Sequence, residues 1–180
     1  QVDTVGATLG TPLSVIARDA LNNPVAGVLI TWSIVDGGGS VSPATSTTNA
    51  GGIATTQWTL GTLMTPADST QGARASGPGS PVNFVATSRP GAVNAAQSLV
   101  AVSPASIAAS RTSPATVTVT ARDGFGNVIP GRAVTLAATG AGNTLVQPAA
   151  VTTASGIATG AIGASVIGAR TITATIAGVV

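Results

Sequence analysis

The stretch ARDALNNPVAGVLITW at residues 17–32 returns as ARDGFGNVIPGRAVTL at residues 121–136, an offset of 104 residues. At the same offset GIAT at 52–55 returns at 156–159, and Gly38 returns as Gly142. Separate blocks that match at one ungapped spacing are the signature of an internal repeat, so the chain reads as two copies of one module.

Working outward from this stretch, each copy resolves into short strands. Leu13, Val15 and Ala17 alternate with polar or smaller residues, and Val117, Val119 and Ala121 stand at the matching positions. A period of two marks a strand with one face on a core. The segments DALNNPVAG and DGFGNVIPG then reverse the chain, because Asp and Asn bond to nearby backbone and Gly tolerates positive φ. The repeat turn residues are Asp19, Asn23 and Gly27, matched by Asp123, Asn127 and Gly131. A second strand aligns Ile30, Trp32 and Ile34, with Val134, Leu136 and Ala138 as counterparts. Gly37–Gly39 and GAGN at 140–143 read as flexible links. A third strand over 52–60 places Ala54, Thr56, Trp58 and Leu60 on one face, and Ala158, Gly160, Ile162 and Ala164 match them. QGARAS at 71–76 and SPVNFVATS at 80–88 close the first copy. Gly and Pro interrupt every long window, which excludes long helices and leaves an all-β reading.

SRPGAVNAAQ at 88–97 has linker composition, so the expected modules are residues 1–92 and 93–180, each a β-sandwich. Hydrophobic residues make up 44% of the chain and charged residues 7%, a balance that supports a buried core rather than disorder. No apolar run approaches the length of a membrane-spanning helix. The net charge is +2, and the seven Arg, at 18, 74, 89, 111, 122, 132 and 170, are dispersed. Nucleic-acid binding needs clustered cations, so that class of partner is excluded. The chain starts at Gln1 without a signal pattern, which leads us to expect a processed or excised segment.

The chemistry-bearing residues are few. His, Cys, Lys, Glu and Tyr are all missing from the sequence, which removes Ser–His and Cys–His nucleophiles, Schiff-base lysines and the usual zinc ligands. The five Asp, at 3, 19, 36, 68 and 123, show no paired spacing, so no catalytic residue, metal site or cofactor is expected. Without Lys no lysine isopeptide crosslink can form, and without an N-x-Ser/Thr sequon ordinary N-glycosylation has no acceptor.

Asp19 and Asp123 could mark a Ca²⁺ site, but two side chains fall well short of the six or more oxygens such a site uses. The expected role is to hold the turn. Trp32 and Trp58 could form a sugar-stacking platform, yet both fall in phase with core aliphatics and are matched by Leu136 and Ile162, so these four residues are read as core. Phe84 and Phe125 are read as packing residues. Arg18 and Arg122 are read as ion-paired with the neighbouring Asp or as solvated rim positions. Residues 62–72, TLMTPADSTQG, are read as a surface insertion.

The stretches 17–62 and 79–92, and in the second copy 103–110, 116–145 and 154–178, resemble the bacterial immunoglobulin-like domains of group one found in invasin- and intimin-type adhesins. The resemblance implies tandem immunoglobulin-like sandwiches in an extracellular rod that holds an adhesive tip away from the cell. It makes a structural spacer or stalk repeat of a bacterial surface protein the leading expectation, with neighbouring repeats or subunits as partners. A building block of an extracellular filament or phage virion is the first alternative, and a carbohydrate- or receptor-binding accessory module the second. The expected location is extracellular or cell-surface, a virion surface included.

ARASG at 73–77 aligns with ATIAG at 174–178. The first copy then continues through PGSPVNFVATS, whereas Val179 and Val180 follow in the second. The second sandwich is therefore expected to lack its last strand. Truncation or a strand donated by a neighbouring subunit would explain the open edge.

Overall fold

The structure, a computed structural model, describes residues 1–64, 69–110 and 112–177. Part of the expected insertion at 62–72, and the residues following Ala177, lie outside the described residues. The chain divides into two compact units, Gln1–Arg89 and Pro90–Val180. This division falls three residues before the boundary read from composition, because Gly91 and Val93 bond into the second unit at Asp123.

The first module contains β1 (Val2–Thr4), β2 (Leu13–Ile16), β3 (Leu29–Asp36), β4 (Gly39–Ser42), β5 (Thr45–Thr47), β6 (Ile53–Leu60), β7 (Thr70–Ser76) and β8 (Val82–Arg89). One sheet has the order β1-β8-β7-β3-β5 and the other β2-β6-β4. The β1–β8 pair is parallel and the other pairs are antiparallel. Alternation decides what each face buries. Ile30 and Trp32 of β3, Ala54, Trp58 and Leu60 of β6, and Ala73, Ala75 and Ala86 of β7 and β8 meet in one core with Leu9 and Leu13. Each large aliphatic or aromatic side chain buried there contributes about 1.5–3 kcal/mol.

The second module contains β9 (Leu99–Ser103), β10 (Ala115–Thr120), β11 (Val134–Ala138), β12 (Asn143–Val146), β13 (Ile157–Ala164) and β14 (Ile172–Ile176). Its sheets are β12-β13-β10-β9 and β11-β14. Val117, Val119, Ala121, Leu136, Ile162 and Ile176 lie in its core. Registers repeat as well as residues. Leu13 faces Thr56 and Val117 faces Gly160; Val41 faces Trp58 and Leu145 faces Ile162. All four follow the 104-residue offset.

Two expectations change here. Gly39 and Asn143, read as parts of flexible links, begin strands β4 and β12. The alignment of ARASG with ATIAG is displaced by two residues. Trp32 pairs with Ala75 and Leu136 with Ala174, so Ala174 corresponds to Ala75 and Ile172 to Ala73. Backbone pairing with β3 and β11 sets this register. A slip of two preserves which side chains face inward, so alternation alone could not detect it.

Candidate functional site

The repeat turn follows from the bonding capacity of one carboxylate. In the first module Asp19 Oδ1 accepts the N–H groups of Leu21 (2.9 Å) and Asn23 (2.8 Å), and Oδ2 accepts the Asn23 side-chain amide (3.1 Å). In the second, Asp123 Oδ1 accepts the N–H groups of Phe125 and Asn127, both at 2.9 Å. Its Oδ2 accepts the Asn127 side-chain amide and the Gly91 N–H, also at 2.9 Å. Asn22 and Gly126 hold the equivalent left-handed position, at φ 69° and 87°, which Asn and Gly tolerate best. Gly27 and Gly131 end the two segments at φ 77° and 73°.

The same bonds set the electrostatics. Burial pushes the Asp123 carboxyl up, but the Asn127 side-chain amide and the N–H groups of Gly91, Asn127 and Phe125 outweigh it and hold the group below its ordinary value. The Asp19 carboxyl is lowered chiefly by the Asn23 side-chain amide and then by the Asn23 N–H, with burial opposing and the Leu21 N–H adding to the effect. Both carboxylates face N–H donors, an arrangement suited to holding a turn rather than a cation. Among the described residues no three His, Cys, Asp or Glu converge.

Arg18 and Arg122, expected to pair with the carboxylates or lie in solvent, instead donate to the Asn22 carbonyl (2.8 Å) and the Gly126 carbonyl (2.6 Å). The guanidinium thus ties down the residue at the left-handed position. Phe125, read as a packing residue, is exposed, because it lies between two glycines in the turn and beyond any sheet face.

Thr48 and Thr152 form a latch that the sequence reading missed. Thr48 Oγ1 donates to the Val25 carbonyl at 2.7 Å and accepts the Val28 N–H at 2.9 Å. Thr152 Oγ1 donates to the Ile129 carbonyl at 2.7 Å and accepts the Arg132 N–H at 2.9 Å. Gly27 and Gly131 donate their N–H groups to the Thr48 and Thr152 carbonyls, both at 2.8 Å. The two Thr stand 104 residues apart, a signal available in the repeat itself.

Trp32 and Trp58 are buried, at 3% and 1% exposure, as are Leu136 and Ile162. The Trp32 indole N–H donates to Ser46 Oγ at 2.8 Å, and its ring lies 6.0 Å from the Phe84 ring at a tilt of 43°. Neither indole is available as a stacking platform.

Residues 97–180 match the family described as bacterial Ig-like domain (group 1). The second module is a bacterial Ig-like domain of group 1. The first module carries the same turn, latch and strand registers, so the chain is two Ig-like β-sandwiches in tandem. A search of curated protein sequences gave no match. Among solved structures, the Escherichia coli adhesin FdeC is 24% identical, with a TM-score of 0.70, over 98% of this chain and 56% of that one. InvD of Yersinia pseudotuberculosis is 25% identical, with a TM-score of 0.62, over 98% of this chain and 51% of that one. Invasin, described as a bacterial integrin-binding protein, is 22% identical, with a TM-score of 0.49, over 96% of this chain and 36% of that one. The chain thus spans between 36% and 56% of the lengths of these structures.

Proposed function

We propose that this chain is a spacer segment of tandem Ig-like domains in the stalk of a bacterial surface protein, exposed outside the cell. The observation that supports this best is repetition without a specialised site. Both modules share their turn, Thr latch and core positions, and the chemistry-bearing side chains serve the backbone. A module selected to bind would diverge from its neighbour at the binding residues. Here the largest difference at matched core positions, Trp32 and Trp58 against Leu136 and Ile162, is buried. The likeness to an E. coli adhesin supports the surface location. The same reading gives the chain no catalytic role and no cofactor.

The test is to place the chain between an outer-membrane anchor and an epitope tag in a bacterial host. Removing either module should shorten the tag's stand-off from the membrane by a similar distance in immunogold images, with the tag still displayed. Saturable binding of the purified chain to host cells or glycans, lost on substitution of a surface residue, would overturn the spacer reading.

A further inference from the structure

We propose that the second module receives an extended β-strand with the alternation of β8, in the groove between residues 104–109 and β14. The argument rests on the repeat and is independent of the spacer reading. In the first module β7 is paired on both sides, by β3 and by β8, and β8 is bonded in turn to β1. Among the described residues β14 pairs with β11 alone. Residues 106–108, at the positions of β1, belong to no strand. Between these two lines lies a cavity of about 610 Å³, lined by Val102, Ile107, Ala115, Ile162 and Ile172 among others. It is apolar and open to solvent along one side.

The first module shows what fills this space. β8 turns Phe84, Ala86 and Ser88 inward; Ala86 and Ser88 are buried, and Phe84 packs on Trp32. Its register on β7 is Ala73 against Phe84 and Ala75 against Val82. Carried over through the corrected alignment, an incoming strand runs antiparallel to β14. It sets its large apolar residue opposite Ile172 and its next inward side chains over Val102 and Ile107. Pairing then supplies affinity through the backbone, and the alternating pockets supply selectivity. The fitting partner is therefore an uncharged strand with inward positions large, small, small.

The probe is a labelled peptide of residues 80–89, SPVNFVATSR, added to the intact 180-residue chain. Saturable binding is expected, with slowed hydrogen exchange confined to β14 and residues 104–109. The peptide carrying Phe84→Asp should bind roughly tenfold more weakly or worse, since it forfeits burial of the largest side chain. Ile172→Arg in the chain, with its folding verified by circular dichroism, should also weaken binding. No saturable binding, or equal binding of a scrambled peptide, overturns the proposal. So does a dimer that protects β14 without any peptide, because a second copy would then own the edge.

Discussion

The Asp123 carboxylate accepts the Gly91 N–H at 2.9 Å, a bond without a counterpart at Asp19 among the described residues. The two turns share a plan, but the second also anchors the start of its own module. Asp123 is fully buried, so truncating it strands several N–H donors away from water. Asp123→Ala should cost about 2–3 kcal/mol, the range for leaving buried donors unpaired. In a domain of this size that lowers the melting temperature by roughly 8–20 °C. Asp19→Ala, at an exposed turn, should shift its module less. Differential scanning calorimetry of the two variants checks the ranking, and equal shifts would contradict it.

Acid should act through the same two carboxylates. Both have folded pKa values below their ordinary ones, so the unfolded chain binds protons more readily than the folded chain. The stability this confers is complete above the ordinary carboxylate value of about 4 and is lost as pH falls through the folded values. Melting temperature should therefore hold steady from neutral pH down to roughly 5 and decline below about 4. The double variant Asp19→Asn, Asp123→Asn should be less stable at neutral pH and show a shallower acid decline. An acid limb as steep as that of the parent would place the effect on other groups.

Much of this fold could be read from the sequence because the evidence came in duplicate. The offset of 104 located the turn, and alternation identified the buried faces of β2, β3, β6 and their counterparts. What escaped was set by backbone pairing rather than by side-chain pattern. Gly39 enters β4 because its partner Leu60 stands opposite, not through any strand propensity of its own. The two-residue slip at β14 left inward and outward positions unchanged, so only hydrogen-bond register could correct it. Arg18 and Arg122 were read by charge, whereas a carbonyl at bonding distance decided their partners. Thr48 and Thr152 were passed over because a Thr in a Thr-rich segment carries no mark of burial.

The Thr latch makes a direct prediction. Thr152→Val keeps the shape of the side chain but removes the hydroxyl that joins the Ile129 carbonyl to the Arg132 N–H. The site is buried, so both backbone groups lose a partner without gaining water, at a cost of about 1–3 kcal/mol. Thr48→Val should act alike in the first module, at the Val25 carbonyl and the Val28 N–H. Thr152→Ser retains the hydroxyl and should recover most of the loss. Urea denaturation of the three variants tests the latch; a Ser variant as unstable as Val would show that the methyl group, not the hydroxyl, carries the effect.

The two Trp should respond differently to the same substitution. Trp32 Nε1 donates to Ser46 Oγ, whereas the buried Trp58 Nε1 has no hydrogen-bond partner in the structure. Replacing either Trp by Phe leaves a comparable void. Trp32→Phe also deletes a hydrogen bond, while Trp58→Phe removes a donor whose burial is itself unfavourable. Trp58→Phe should therefore cost less than Trp32→Phe, by about 1–2 kcal/mol. Each single variant keeps one Trp, so denaturant unfolding of the first module can be followed by the fluorescence of the remaining indole. A Trp58 variant at least as unstable as its counterpart would show that packing, rather than the state of the indole N–H, separates the two sites.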